Sequence, residues 1–200
     1  MRRRDLYGLL LLAWLCPIAP ARAALTPARA TAFIQAAGEE LVAVINDRGL
    51  STEERRQRVA AILRRSVDIE GVGRFVLGRF WRQASPAEQA EYLRLFEESL
   101  IRNLAGRFGE LQGVAFTVER NPRLIEEDVV VATIVTRPGQ PPVTLEWRVA
   151  EVGGQPRIVD LIAEGASLRL TQRSEYAAVI TRGGNQVSAL NAALRRQLGQ

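Results

Sequence analysis

The sequence has no histidine and no lysine, and its single cysteine, Cys16, lies near the N-terminus. Histidine, lysine and cysteine supply most of the general bases, Schiff-base amines and thiol nucleophiles of enzymes, and histidine and cysteine are the usual nitrogen and sulfur ligands of transition metals. Their absence after Cys16 excludes most enzyme mechanisms, along with thiol chemistry. We predict a protein that is not an enzyme and that carries no metal and no cofactor.

Residues 1–23 have the pattern of a secretory signal peptide. Three arginines at positions 2 to 4 are followed by an apolar segment over residues 9–15 and by the small-residue cleavage site Ala21-Arg22-Ala23. The apolar segment is too short for a stable transmembrane helix. We predict cleavage near Ala23 and a mature chain that begins near Ala24.

The charge balance changes once this peptide is removed. The peptide takes four arginines and one aspartate with it, so the formal net charge falls from +5 to +2. The remaining basic and acidic residues are interspersed, a pattern that disfavours nucleic-acid binding. A composition of 47% hydrophobic and 24% charged residues is typical of a folded domain, and residues 24–200 are predicted to form a single one.

Capping signals mark the starts of several helices. Ser51 with Glu54 and Ser85 with Glu88 have the spacing of a capping box, in which the two side chains satisfy free amides of the first turn. The apolar residues after Ser85 keep helical spacing as far as Phe108. Helices are predicted over residues 26–49, from Ser51, from Asp68, over residues 85–108, over residues 171–182 and from Asn185 onward.

The middle of the chain alternates with a period of two, which is typical of strands. Four strands are predicted, over residues 114–119, 128–136, 143–149 and 156–163. Their connections are too short for parallel crossovers, so they form an antiparallel meander. The second strand is apolar on both faces, so it is central or one of its faces lines an apolar ligand. Helices, then strands, then helices predict an α+β domain whose helices cover one face of a curved sheet.

The last predicted strand contains one polar anomaly, Asp160, among isoleucine, valine and leucine. A buried carboxylate must be paired or hydrogen-bonded, so Asp160 is either a structural tie or a general base. Gly165 can adopt the positive φ of a sharp corner, and Ser167 is either the cap of the next helix or a nucleophile. The three acids at 126–128 favour a solvated loop over a calcium site, which needs more oxygen ligands.

Apolar residues are in excess from Val72 to Trp81, where they form either a solid core or the wall of a cavity for an apolar ligand. The same region begins a series of motifs whose order and spacing resemble the MlaC or toluene-tolerance family of periplasmic phospholipid-binding proteins. The motifs are Asp68-Ile69, Val76-Leu77-Gly78, Trp81, Ser85-Pro86-Ala87-Glu88-Gln89, Phe96, Leu100, Val159-Asp160, Glu164-Gly165-Ala166-Ser167-Leu168 and Arg173-Ser174. Pro156 departs from the resemblance, because the family has tryptophan there, which points to a reshaped cavity mouth or to another lipid such as a hopanoid.

This resemblance implies an NTF2-like cone that holds the acyl chains of a phospholipid in an apolar cavity. It also implies a monomeric periplasmic carrier that shuttles lipid between an outer-membrane lipoprotein complex and an inner-membrane ABC transporter, and so maintains the lipid asymmetry of the outer membrane. Enclosing an acyl chain needs apolar walls and no catalytic group, since each methylene removed from water contributes about 0.8 kcal/mol.

The walls predicted from periodicity and from this resemblance are Phe75, Val76, Phe80, Trp81, Phe96, Leu100, Leu104, Val131, Ile134, Leu145, Trp147 and Ile162. Asp160, Gly165 and Ser167 are predicted to hold the corner after the last strand. Two alternatives stay open. One is an enzyme that acts on an apolar molecule with Asp160 as base and Tyr92 or Tyr176 as hydrogen-bond donor. The other is an adaptor whose apolar surface contacts only protein.

Overall fold

The computed structural model describes residues 25–106 and 111–200. The predicted signal peptide lies outside these residues, as do Phe108 and Gly109, where the long helix is expected to end. Within the described residues, no helix combines the length and the hydropathy that a membrane span requires.

The described chain runs from helices through a sheet to further helices. The helices are α1 (Pro27–Asn46), α2 (Thr52–Ser66), α3 (Ile69–Leu77), a 3₁₀ helix (Gly78–Arg82), α4 (Pro86–Ala105), α5 (Leu168–Arg182) and α6 (Val187–Leu198). The strands are β1 (Ala115–Val118), β2 (Arg123–Ile125), β3 (Asp128–Arg137), β4 (Gln140–Val152), β5 (Gln155–Ala163) and β6 (Ala166–Ser167). The predicted α+β class is confirmed.

The predicted capping interactions define where the helices begin. The Ser51 hydroxyl accepts a hydrogen bond from the backbone N–H of Glu54 at 3.2 Å, and the Glu54 carboxylate accepts one from the Ser51 N–H at 2.9 Å. Ser85 and Glu88 form the same reciprocal pair at 3.3 and 2.9 Å. The carboxylate of Asp68 caps α3. Each cap satisfies amides that the first helical turn leaves without a partner.

The sheet is antiparallel, with strand order β1-β3-β4-β5-β6, and β2 pairs with β3 beside β1. Strands β3, β4 and β5 form the predicted meander. Because β3 has partners on both of its edges, it is a central strand, as one of the two predicted possibilities required.

The predicted number of four strands is too low. Strand β2 has only three residues, all of them exposed, and β6 has only two. Neither is long enough to show the alternation of apolar and polar residues from which strands are predicted. Strand β4 also begins at Gln140, before the predicted Val143. Its prolines at 141 and 142 lie where the pairing with β3 is irregular, and proline is tolerated at such a position because it need not donate to the ladder.

The pairing register separates two faces of the sheet. Directly paired residues of an antiparallel sheet point to the same face, so Val129 and Val131 share a face with Val149 and Trp147. Helix α1 packs on this helix-facing face, where Ile34 joins the buried cluster. The outer face bears the polar residues of β4, which are Thr144, Glu146 and Arg148.

The segment between α2 and α3 closes part of the free edge of β5. Val67 forms a parallel bridge with Ile158, and the Asp68 N–H donates to the Ile158 carbonyl at 3.0 Å. The Arg157 guanidinium donates to the carbonyl of Arg65 near the end of α2. Because an uncovered strand edge invites pairing with another chain, these contacts protect β5 and hold α2 and α3 beside it.

The buried apolar residues of the described chain fall into three clusters. The first is helical and joins α3, α4, α5 and α6. The second joins α1 to the helix-facing face of the sheet, and the third joins α1, α2, the end of α4 and the start of β1. A domain usually has one contiguous core. The borders between the three clusters are therefore the parts of the interior where packing is least continuous.

Candidate functional site

An apolar patch lies on the helix-facing face where β4 and β5 pair. The register places Trp147 opposite Leu161, and Leu145 opposite Ala163. These four residues are half-buried, whereas Val131, which pairs with Trp147 from β3, is fully buried. Burial therefore decreases from β3 towards β5. The four residues, called the β4–β5 patch below, are only partly covered.

A side-chain hydrogen bond fixes the orientation of Trp147. Its Nε1 donates to Oγ1 of Thr133 at 2.9 Å, and Thr133 is buried at 1% exposure. Thr133 lies opposite Leu145, so the bond runs diagonally between neighbouring rows of the same face. Because the one polar atom of the indole already has a partner, the rest of the ring presents an apolar surface.

Four predicted wall residues from the helices lie at the borders of the clusters. Phe75 of α3, Trp81 of the 3₁₀ helix and Leu100 of α4 flank the first cluster, and Leu104 flanks the third. All four are half-buried. They lie at the surface of the packed clusters, which is where a residue must lie to contact a ligand held between them.

Four other predicted wall residues are enclosed within clusters. Val76, Phe80 and Phe96 pack inside the first cluster, and Val131 inside the second. Phe96 stacks on Tyr92 with ring centroids 5.7 Å apart. In this structure these side chains contribute to packing. A ligand would reach them only after a cluster had opened.

The register places two predicted wall residues on the outer face. Ile134 lies opposite Thr144, and Ile162 lies opposite Glu146. They therefore do not share a wall with the β4–β5 patch. The twelve residues predicted as walls do not surround one common space in this structure.

Leu161 belongs to the β4–β5 patch although it is not one of the predicted wall residues. A β-bulge in β5 explains why the prediction missed it. Strand β5 has one extra residue relative to β4 between the pairs Arg148–Asp160 and Val149–Ile158. The extra residue reverses the alternation, so Leu161 points to the helix-facing face. Because Asp160 is the only polar residue from Ile158 to Ala163, alternation in the sequence does not reveal the bulge.

Asp160 lies in β5 opposite Arg148 and is 6% exposed. Its carboxylate accepts hydrogen bonds from the Ser167 hydroxyl at 2.6 Å and from the backbone N–H groups of Leu161 and Arg169 at 2.9 and 3.2 Å. Nε of Arg169 lies 3.3 Å from the same carboxylate. Gly165 has the positive φ, 80°, that the turn requires. With these partners the carboxylate has the contacts of a structural tie.

Arg169 also connects this corner to α3. Its guanidinium lies 4.4 Å from the centroid of the Phe75 ring, and the guanidinium of Arg173 lies 5.0 Å from the same ring. Both distances are within the range of cation–π attraction. The corner, α3 and α5 are therefore held together through one aromatic ring.

The two tyrosines considered as catalytic donors are engaged elsewhere. The Tyr92 hydroxyl donates to the Gly73 carbonyl at 3.0 Å, and the Tyr176 side chain is hydrogen-bonded to Ser99. Burial raises the pKa of Tyr92 far above its usual value and raises the pKa of Tyr176 to about 12. Neither hydroxyl donates to Asp160. The arrangement of base and donor that the enzyme alternative needs is not assembled.

The acidic run at 126–128 is paired with an arginine. Asp128 accepts a hydrogen bond from Nε of Arg148 at 2.6 Å, and Glu126 lies 3.6 Å from the same guanidinium. Across the part of the chain that the structure describes, no group of three or more histidine, cysteine, aspartate or glutamate side chains could hold a metal ion. The acids of this run neutralise a cation on the sheet.

Two open clefts are lined with charged residues. The larger, of about 590 Å³, lies between the end of α2, the start of α3, α4 and the β4–β5 turn. Its charged lining residues are Arg64, Asp68, Glu70, Arg94, Glu97 and Arg157. The second, of about 310 Å³, lies between α1 and α2. Neither cleft is the apolar cavity predicted from the sequence, and the β4–β5 patch lines neither of them.

These features define an α+β domain in which α1 packs on one face of an antiparallel sheet and apolar residues of β4 and β5 are half-buried on that same face. Residues 35–196 match the family described as MlaC protein, and the chain therefore belongs to the MlaC family. A solved structure of a phospholipid-binding protein from Ralstonia solanacearum, in complex with a phospholipid, is similar to this chain with a TM-score of 0.75 and 28% sequence identity. The similarity covers 86% of this chain and 99% of that one.

Proposed function

We propose that this protein binds the acyl chains of a phospholipid between its helices and the helix-facing face of its sheet. The observation that carries the proposal is the β4–β5 patch, whose four apolar side chains are half-buried on the helix-facing face, where Trp147 packs against the second cluster. The similar structure from Ralstonia solanacearum supports it, because that protein was solved with a phospholipid.

Acyl-chain binding follows from the hydrophobic effect and from the divided core. An acyl chain that leaves water gains about 0.8 kcal/mol per methylene, or on the order of 10 kcal/mol for a whole chain. A continuous, close-packed core would resist the entry of such a chain, because packed interiors deform little. Clusters that meet through half-buried residues can separate along their borders at lower cost, and the β4–β5 patch would then become one wall of the ligand site.

The cellular role that we propose is lipid carriage through the periplasm after cleavage of the signal peptide. The carrier would pass phospholipid between an outer-membrane lipoprotein complex and an inner-membrane ABC transporter, and so maintain outer-membrane lipid asymmetry. Membership of the MlaC family supports this role. The protein acts by enclosure and not as an enzyme, since transfer of an intact lipid makes and breaks no covalent bond.

The position of Pro156 removes the sequence-based reason for expecting a hopanoid as the cargo. Pro156 pairs with Glu151 next to the β4–β5 turn, whereas the β4–β5 patch occupies the opposite end of these strands. The departure from the family residue therefore leaves the patch unchanged.

Lipid extraction tests the proposal directly. The chain from Ala24 onward would be purified without detergent, extracted with organic solvent and analysed by mass spectrometry, and its uptake of fluorescent phospholipid from vesicles would be measured. We expect co-purifying phospholipid and saturable uptake. Absence of both would contradict the proposal.

A matched pair of variants locates the site. Leu161→Asp places a charge in the β4–β5 patch, and Leu124→Asp places the same charge on β2, where the leucine is 63% exposed. We expect Leu161→Asp to lower uptake at least tenfold while Leu124→Asp leaves it unchanged. Equal effects of the two variants would remove the patch from the lipid site.

A further inference from the structure

Three arginines lie together on the surface where the 3₁₀ helix meets α5. Arg79 and Arg82 are three residues apart, and side chains with this spacing eclipse one another in a 3₁₀ helix. The Arg173 guanidinium lies about 3.0 Å from the position that a Cβ on Gly78 would occupy, so it is next to the first residue of that helix. All three arginines are exposed.

None of these three guanidinium groups has a polar partner among residues 25–106 and 111–200. The hydrogen bonds and ion pairs of the described chain include none from Arg79, Arg82 or Arg173. Two of them rest on aromatic rings instead. Arg79 lies 4.8 Å from the centroid of the Phe80 ring, and Arg173 lies 5.0 Å from that of Phe75. Stacking restrains a guanidinium while leaving its in-plane N–H donors available for an acceptor such as phosphate.

Exposed leucines adjoin the arginines. Leu170 of α5 is 53% exposed and lies one turn before Arg173 on the same side of the helix. Leu168 is 46% exposed at the start of the same helix. Trp81, between the two arginines of the 3₁₀ helix, is half-buried. Arginines beside exposed leucines and a half-buried tryptophan are typical of surfaces that bind at the interface of a lipid bilayer.

We propose that Arg79, Arg82, Arg173 and Leu170 form a docking surface for an anionic phospholipid bilayer. The guanidinium groups bind lipid phosphates as bidentate donors, and Leu170 enters the interfacial region of the bilayer. The inference rests on the proposed function, because it gives the surface through which a lipid carrier meets its donor or acceptor membrane. The combination of cations without partners and an exposed leucine favours a bilayer over an acidic protein surface.

Co-sedimentation with vesicles tests the docking surface. The chain from Ala24 onward would be mixed with vesicles of equal parts phosphatidylglycerol and phosphatidylcholine, or of phosphatidylcholine alone. Binding to the anionic vesicles should fall roughly fivefold for each arginine changed to glutamine in the set Arg79→Gln, Arg82→Gln and Arg173→Gln. Leu170→Ser should weaken binding without altering its salt dependence. The matched control is Arg48→Gln, Arg120→Gln and Arg196→Gln, which removes the same charge from exposed arginines elsewhere.

The outcomes separate docking from lipid carriage. Loss of vesicle binding in the first set but not in the control set, with bound lipid retained in mass spectra of both, supports the docking surface. Equal loss in both sets shows a general effect of net charge and overturns it. The docking surface is also overturned if the unaltered protein does not bind anionic vesicles. Normal binding of these vesicles by the first set of variants would overturn it as well. Absence of bound lipid in the unaltered protein contradicts the proposed function whatever the vesicle result.

Discussion

The Ser167 hydroxyl donates a hydrogen bond to the Asp160 carboxylate at 2.6 Å and accepts one from the Leu170 N–H at 3.2 Å. One short side chain thus joins a buried carboxylate on β5 to the first turn of α5. The proton of the hydroxyl points to the carboxylate, because the other contact of the oxygen is itself a donor. Both residues therefore act in holding the corner.

We predict that Asp160→Ala lowers the free energy of unfolding by about 3 kcal/mol, because it leaves two backbone N–H groups without their acceptor and the Arg169 guanidinium without its ion-pair partner. Ser167→Ala, which removes only the cap and one hydrogen bond, should cost about 1 kcal/mol. Urea denaturation measures both values.

Lipid binding distinguishes a structural Asp160 from a ligand-binding one. The folded fraction of Asp160→Ala should retain its bound lipid, since the β4–β5 patch is on the other face of the sheet. If Asp160→Ala had the stability of the unaltered protein but no bound lipid, Asp160 would instead be a lipid-binding residue.

Local interactions explain why much of the fold could be predicted from the sequence. The capping boxes at Ser51 and Ser85 depend on residues three positions apart, and both are present. Gly165 and the cap at Ser167 likewise depend on neighbours in the chain. The antiparallel meander is predictable because the connections between its strands are too short for the crossovers that parallel pairing needs.

The residues of the site could be predicted only in part, because their positions depend on contacts distant in sequence. Ile134 and Leu161 each precede another apolar residue, Val135 or Ile162, so the choice between the two for a given face depends on the pairing register and, for Leu161, on the bulge in β5. Whether Phe96 lines a space or fills a cluster depends on α5 and α6, which follow it by about seventy residues or more. Periodicity contains neither kind of information.

We predict that Gly38→Ala destabilises the protein although alanine is the better helix former. The gain in helix propensity is about 1 kcal/mol. A Cβ at this position of α1 would lie 2.4 Å from Cζ of Phe116, which is too close for any contact between unbonded atoms. The expected net loss is about 1–2 kcal/mol in the free energy of unfolding. The double variant Gly38→Ala with Phe116→Leu should recover most of it, and a failure to recover would place the strain elsewhere.

We predict a loss of stability at alkaline pH that originates from Tyr92 and Tyr176. Burial raises both pKa values in the folded protein, that of Tyr176 to about 12. In the unfolded chain the tyrosine hydroxyls titrate at about pH 10. The unfolded state therefore releases these protons first. Stability should be unaffected by the tyrosines below about pH 10 and should fall above it by up to about 1.4 kcal/mol per pH unit for each residue.

Phenolate absorbance and urea denaturation at several alkaline pH values measure this dependence. In Tyr92→Phe, the free energy of unfolding should fall with pH about half as steeply as in the unaltered protein. This variant also loses the hydrogen bond to the Gly73 carbonyl. A slope that did not change in this variant would show that other groups cause the alkaline loss.

Two substitutions on opposite faces of neighbouring strands test which face binds lipid. Leu145 lies in the β4–β5 patch on the helix-facing face, and Ile134 lies on the outer face opposite Thr144. Both are half-buried and of similar volume. We predict that Leu145→Lys lowers phospholipid uptake at least tenfold, because the ammonium group cannot be desolvated beside an acyl chain. Ile134→Lys should change uptake less than twofold, since its side chain can extend into water from the outer face. The reverse order of effects would place the lipid on the outer face and remove the β4–β5 patch from the site.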